Sequence, residues 1–467
     1  MLFIRCFHVL ILGFMVVGAA RAEVVDKRAS LFSVYQQATA NDAKLSAARH
    51  EYMAVREVVP QARAGLLPTL SAGGSWESTR LTIDQPELAR ARSQSAVQAN
   101  LNQPLIRLDR WFQLSAAHAS AAQAELEFRA KEQAMVLGAA QAYFETLRAL
   151  DLLAATKAEE IALKRQQEQA QGRLANGASN ITDVLDAQAA YDTANANRKL
   201  AERKVDDAFE ALNRLTNHEY SSIEGIDHHL PIVVPKPNNV KLWVSLALQQ
   251  NLSVLASNFA VTAAEYTNQQ RKSGFAPTLD AIASYRKGDN DSFGYSNSAG
   301  FGTSGYRGDV TQRSIGLQLN IPLYSGGMTR SQVREATERL AQSEDQRDDR
   351  RREVVQSTRN FYRAINSDVE QVAARLQSII SSQSALQATV RGRELGSRSL
   401  MDVLNAERQL YGAVREYNNA RYDYIFNTLS LKQVAGELSA LDLTSLAMFM
   451  NKSYDPDRDF LPPGSRH

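Results

Sequence analysis

Few residues are placed to do bond-making chemistry. Asp227, His228 and His229 adjoin one another, but a carboxylate and two histidines in a polar loop fall short of a metal cage and read as solvated. No HExxH pair, no glycine-rich phosphate loop after a strand and no nucleophile elbow occurs. Asp and Glu are spread over every polar helix face, so no pair stands out as acid and base. No catalytic residue, metal site or cofactor is assigned. The carboxylates and guanidinium groups that remain can pair, repel and attract ions, and the elements that carry them decide what that achieves.

The first 22 residues read as a secretory leader: Arg5, a short apolar run from Phe7 to Gly18, then Ala20-Arg21-Ala22 before the cut. The single cysteine, Cys6, lies inside it, so the mature chain has no disulfide or thiol chemistry. Without Arg5 and Arg21 the 53 basic residues fall to 51, equal to the acidic count. That balance argues against a nucleic-acid binder. Basic runs such as Arg350-Arg351-Arg352 have Asp348, Asp349 and Glu353 beside them and read as a solvated helix face. No apolar run is long enough for a membrane helix. A membrane-spanning form of this chain is therefore a β-barrel.

The chain is written twice. Pro68-Thr69-Leu70 recurs as Pro277-Thr278-Leu279, Pro104-Leu105 as Pro322-Leu323, and Tyr143-Phe144 as Phe361-Tyr362. Asp183-Val184-Leu185-Asp186-Ala187-Gln188 recurs as Asp402-Val403-Leu404-Asn405-Ala406-Glu407. The expected organisation is leader 1–22, first repeat 23–230 with a β-hairpin at 69–105, linker 231–240, second repeat 241–438 with a hairpin at 278–323, and a tail 439–467 that is equatorial and partly disordered. Each repeat reads as helix, hairpin, long helix, tight turn, returning helix. Asp109 to Ala175 and Met328 to Leu395 hold no proline. Helices of that length are roughly 100 Å long and need coiled-coil support. Alanine at many seam positions suits a curved helical wall. Asn176-Gly177 and Gly396 end the long helices. Leading helices near 31–63 and 241–273, stacked on the returning helices, match the long ones in height.

Ser314 to Leu323 alternates, with Ile315, Leu317, Leu319 and Ile321 on one face. Val97, Ala99 and Leu101 do the same, and the partner strands offer Leu70, Ala72 and Trp76, then Leu279, Ala281, Ala283 and Tyr285. Apolar-out and polar-in at period two fits a water-filled membrane barrel, and equally a half-buried hairpin on a soluble domain. The strand number separates the two. Four strands are too few for a membrane barrel, which needs about eight. A trimer supplies twelve. The stretches 79–94 and 288–309 read as hairpin tips. Phe293, Tyr295, Phe301 and Tyr306 of the second suit the headgroup belt, with a cover over the pore mouth as the alternative.

Together these features resemble the TolC family of outer-membrane exit ducts, over nearly all of the mature chain to Leu438. The most specific residues are Gly177-Ala178-Ser179-Asn180-Ile181-Thr182-Asp183-Val184-Leu185 and Gly396-Ser397-Arg398-Ser399-Leu400-Met401-Asp402-Val403-Leu404-Asn405-Ala406, with Tyr417-Asn418-Asn419-Ala420-Arg421-Tyr422-Asp423-Tyr424 in the last helix. The resemblance implies a mainly α fold: a coiled-coil tunnel plus four strands per protomer in a twelve-stranded outer-membrane barrel, extending into the periplasm. It implies a homotrimer that exports small molecules or proteins. The partners implied are a periplasmic adaptor (a membrane fusion protein), an inner-membrane pump or ABC transporter, and outer-membrane lipid. The adaptor-docking tips would be Gly177, Ala178, Ser179, Gly396 and Ser397. The closing latch would join Thr182 and Asp183 to Arg398, with Asp402 ringing the constriction. Arg393 occupies the family's latch-tyrosine position and Asn405 that of a second pore aspartate. The lipid-facing set would be Leu70, Trp76, Val97, Leu101, Leu279, Tyr285, Ile315, Leu317, Leu319 and Ile321. A periplasmic coiled-coil scaffold without a pore is the alternative.

Overall fold

The computed structural model describes residues 28–84, 87–178, 180–289 and 309–462. The leader with Cys6, Ser179 and the aromatic tip residues from Phe293 to Tyr306 lie outside the described residues. The first repeat runs from β1 (Arg28–Ala29) through α1 (Leu31–Asn41), α2 (Ala43–Arg56), α3 (Val58–Ala64), β2 (Thr69–Asp84), β3 (Glu87–Ile106) and α4 (Leu108–Ala175) to α5 (Ile181–Thr216). After β4 (Ser222–Ile223) and β5 (Gly225–Ile226) comes the second: α6 (Val240–Gln250), α7 (Leu252–Lys272), β6 (Thr278–Asp289), β7 (Asp309–Asn320), α8 (Met328–Glu394) and α9 (Leu400–Ala435). The chain ends in α10 (Ala440–Ala447), β8 (Met450–Asn451) and α11 (Pro456–Asp459).

α4 and α8 have 68 and 67 residues, about 100 Å each. The far half of α4 packs on α5 and α9 and its near half on α2, α3 and α7, while α8 packs on α9, α7 and α6. The core along α4 is largely alanine: Ala139, Ala140 and Ala155 have no exposed surface. Small side chains there let the helices approach closely on several sides.

The leading helices are not the single rods expected at 31–63 and 241–273. Each is broken where one residue ends a helix and caps the next. Asp42 accepts from the N–H groups of Lys44 and Leu45, and Asn251 from those of Ser253 and Val254, both with extended backbones. A side chain that captures the free N–H groups of the following turn fixes such a break. The joints sit on the ends of the returning helices. Asn41 Nδ2 donates to Thr216 O at 2.8 Å, and Asn251 Nδ2 to Val434 O at 2.9 Å.

Of the tail, residues 439–462 are built into the molecule, and 463–467 lie outside the described residues. β8 pairs with β5, and α11 packs on α4. Tyr454 and Phe460 are buried, and Asn418 Nδ2 holds Phe460 O at 3.0 Å. The linker is anchored as well, since the Tyr424 hydroxyl donates to Val233 O and accepts from Val233 N–H.

Candidate functional site

The first candidate is a face of the sheet. β2, β3, β6 and β7 form one antiparallel sheet in that order. Directly paired residues share a face, so the register tests the alternation. Leu70, Leu101, Ala283 and Ile315 make one rung, and Ala72, Ala99, Tyr285 and Arg313 the next. A bulge between Pro104 and Ile106 brings Ile106 onto the rung of Leu279 and Leu319. The apolar residues singled out within these strands thus lie on one continuous face. Ile315 is 91 % exposed, Leu317 70 %, Leu70 75 % and Trp76 73 %. Ile321 lies just past β7, also exposed. The reverse face carries Ser71, Gln98, Asn100, Asn102, Ser284 and Gln318. Apolar and charged residues meet at Arg313, whose guanidinium lies 5.8 Å from the Tyr285 ring centre. Within the stretch 79–94, read as a hairpin tip, the strands continue: pairing runs to Asp84 and Glu87, because cross-strand hydrogen bonding does not require apolar side chains.

The second candidate is the pair of helix tips at the far end. After α4, Gly177 has φ 69° and donates to Leu174 O, while Ala178 N–H reaches Arg173 O. After α8, Gly396 has φ 77° and Ser397 N–H reaches Gly392 O. Both are Schellman endings, which turn the chain at once into the next helix. Asn180 caps α5 through Asp183 N–H, and Ser399 caps α9. Thr182 Oγ1 bonds Asn180 Oδ1. Asp402 completes a capping box, accepting from Ser399 N–H and Oγ at 2.9 Å each. Those bonds, and then the Arg398 charge, hold its carboxyl below the usual range. Asn405 is exposed one turn further along α9.

Within the protomer Arg398 makes no ion pair with any described residue. Arg393 is the arginine engaged. Its guanidinium donates to Gln166 Oε1 at 3.1 Å. Burial and the charge of Arg173 lower its pKa, against the carboxylates of Asp183 and Glu407. Glu407 is buried, which raises its pKa, and Gln166 Nε2 donates to it at 3.4 Å. Gln166 and Glu407 escaped the sequence analysis, although a glutamate on the inner face of a coiled coil is itself a signal.

A third group, midway along the helices, was also missed. Asp151 is buried and accepts from the hydroxyls of Tyr422 (2.7 Å) and Tyr454. Burial pushes its carboxyl up to about 6, and the two hydroxyls hold it from rising further. Arg421, also buried, donates to Asp227 O, lies 3.1 Å from His228 Nδ1 and covers the Tyr417 ring. His228 is therefore half-buried structure rather than a solvated residue, while exposed His229 pairs with Asp227. Among the described residues no cluster of three or more metal-binding side chains occurs. No described helix is long and apolar enough to cross a membrane.

The outer membrane efflux protein family model matches residues 34–218 and 243–437, one segment in each repeat. The chain is 33 % identical over 414 residues to the outer membrane protein TolC of Vibrio cholerae, covering 89 % of this chain and 92 % of the relative. It is 31 % identical to TolC of Escherichia coli, covering 93 % and 87 %. It is 29 % identical to the alkaline protease secretion protein AprF of Pseudomonas aeruginosa, covering 89 % and 86 %. Among solved structures it superposes on CusC with a TM-score of 0.76, at 18 % identity and covering 88 % and 92 % of the two chains. VceC of Vibrio cholerae gives 0.73 at 17 % identity, covering 87 % and 96 %. The matched segments are the same two repeats that carry the hairpins and the tips. The chain belongs to the outer membrane efflux protein family.

Proposed function

We infer that this chain is one protomer of a homotrimeric duct that carries cargo through the periplasm and across the outer membrane. One observation carries the reading: a four-stranded sheet with an apolar outer face, a polar inner face and two free edges, β2 and β7. Free edges in lipid leave backbone groups unpaired at several kcal/mol each. Pairing β7 of one copy with β2 of the next removes them, and three copies give a twelve-stranded barrel. The helical wall has matching free edges, α8 on one side and α2, α3 and α5 on the other. A poreless scaffold has no use for such a sheet.

The barrel is the permanently open part, and the helix tips are the gate. Asp183 and Arg393 belong to the protomer's own tip cluster. Arg398, exposed and unpaired with described residues, is left to reach Thr182 and Asp183 of the neighbouring protomer. Charge-assisted bonds of this kind, repeated three times, hold a closed end yet remain exchangeable. Asp402, converging from three copies, disfavours anions there, and neutral Asn405 keeps that ring weak. Gly177, Ala178, Gly396 and Ser397 form the adaptor-docking rim, beside Leu395, which is 84 % exposed. The adaptor and the inner-membrane pump or ABC transporter set the cargo. Relatives include one named for alkaline protease secretion.

Asp183→Ala combined with Arg398→Ala should raise single-channel conductance in planar bilayers. Conductance equal to the wild type removes the latch.

A further inference from the structure

The repeat gives this chain an internal copy of a joint that its neighbours must make. Inside the protomer, α4 of the first repeat meets α9 of the second. At its upper end Gln133 Nε2 donates to Gly436 O at 3.0 Å and Leu438 O at 3.2 Å. These carbonyls belong to the turn that ends α9, where Gly436 has φ 82°. The segment Leu438–Ala440 also forms one wall of a cavity of about 420 Å³ whose other walls include Thr39 of α1 and Gln133 of α4.

The repeat offset carries Gln133 onto Arg351, Thr39 onto Leu248, and Gly436 and Leu438 onto Asn217 and Glu219. The correspondence is structural as well. α5 and α9 both have 36 residues, and both end in a left-handed residue, with φ 51° at Asn217. Leu248 and Arg351 line an open groove of about 720 Å³ between α6 and α8. No described post-helix segment walls it. Within one protomer the helices packed along α8 are α6, α7 and α9. Arg351 is exposed and makes no ion pair with any described residue, unlike Arg350, which pairs with Glu353 at 2.6 Å. Asn217 and Glu219 are exposed too.

We propose that the residues 217–221 of a neighbouring copy seat on the α6/α8 groove, with Arg351 donating to the Asn217 and Glu219 carbonyls as Gln133 does inside the protomer. This rests on the trimeric reading above. A guanidinium suits the negative end of α5, and the exposed Glu219 carboxylate adds to that attraction. The interface is thereby keyed: the internal joint uses a neutral amide, and the joint between copies uses a cation. The arginine run of α8 is then an interface rather than a solvated face.

The test uses the full chain in outer membranes, in a Cys6→Ser background. Arg351→Cys with Glu219→Cys, treated with a short thiol cross-linker, should give covalent dimers and trimers. Gln133→Cys with Leu438→Cys should link within one chain, and Arg351→Cys with Asp192→Cys, several helical turns away, should link nothing. Arg351→Glu should lower the temperature at which trimers dissociate, while Arg351→Gln should leave it near that of the wild type. Trimers that never link 351 to 219, although the internal control links, overturn this proposal alone. Absence of any trimer overturns it together with the trimeric reading.

Discussion

Leu317→Arg places a guanidinium on the outer face of the sheet, two rungs inside Arg313. Leu317 pairs with Ala281 and is 70 % exposed in the protomer, so nothing in the chain shields the new charge. Two rungs are four residues, about 13 Å along a strand, or about 10 Å of depth at the usual barrel tilt. That puts position 317 well inside the apolar layer. An arginine near the midplane of a membrane barrel costs about 2–4 kcal/mol, and a trimer carries three, for roughly 6–12 kcal/mol per barrel. Gln318→Arg is the matched control. It sits one residue away on the reverse face, beside Asp280, where a water-filled lumen tolerates charge. The assay is the urea midpoint for folding into lipid vesicles, together with the yield of trimer in outer-membrane fractions. Leu317→Arg should lower both, and Gln318→Arg should leave both near the wild type. Equal losses from the two variants, or a larger loss from Gln318→Arg, would refute the assignment of faces.

Asp151 titrates near 6 in the folded chain against about 3.9 unfolded, so the fold binds its proton more tightly. That contribution is full below pH 4 and is lost as pH rises through 6, up to about 3 kcal/mol. Asp151→Asn should flatten the pH dependence of thermal unfolding in detergent across that window, and an unchanged slope would show that the carboxylate is not the titrating group. Gly436→Ala should destabilise by more than the 1–2 kcal/mol of a left-handed residue, because its Cβ would sit 2.3 Å from Gln250 O. Calorimetry that finds Gly436→Ala neutral would mean that the joint between α6 and α9 yields freely.

The legible part of the fold is periodic. Strand alternation placed Leu70, Leu101 and Ile315 on one face because the side-chain period of a strand is two, and register then carries the pattern across the sheet. The repeat placed both tips because Gly177 and Gly396 meet the same backbone demand. What was hidden depends on single side chains or distant partners. Asp42 and Asn251 break the leading helices by capping, and one polar residue in a helical run gives little warning. Asp151 finds Tyr454 303 positions away, so the ordering of the tail has no local signal. His228 looked solvated because Arg421 and Tyr417 reach it only through the fold. At the tips, the residue types were readable, but the partner of each was not. Within the protomer Arg393 reaches Gln166 from its place on α8, while Arg398 lies on the turn before α9.

The central claim is that a sheet with two free edges is finished only by other copies of the same chain. Mass measurement of the detergent-extracted protein from outer-membrane fractions, before and after heating, tests it most directly. The account predicts a particle of three chains that falls to single chains of the 51.6 kDa class on heating, reduced by the leader if it is cut. A stable single chain released from the periplasm without detergent would contradict it.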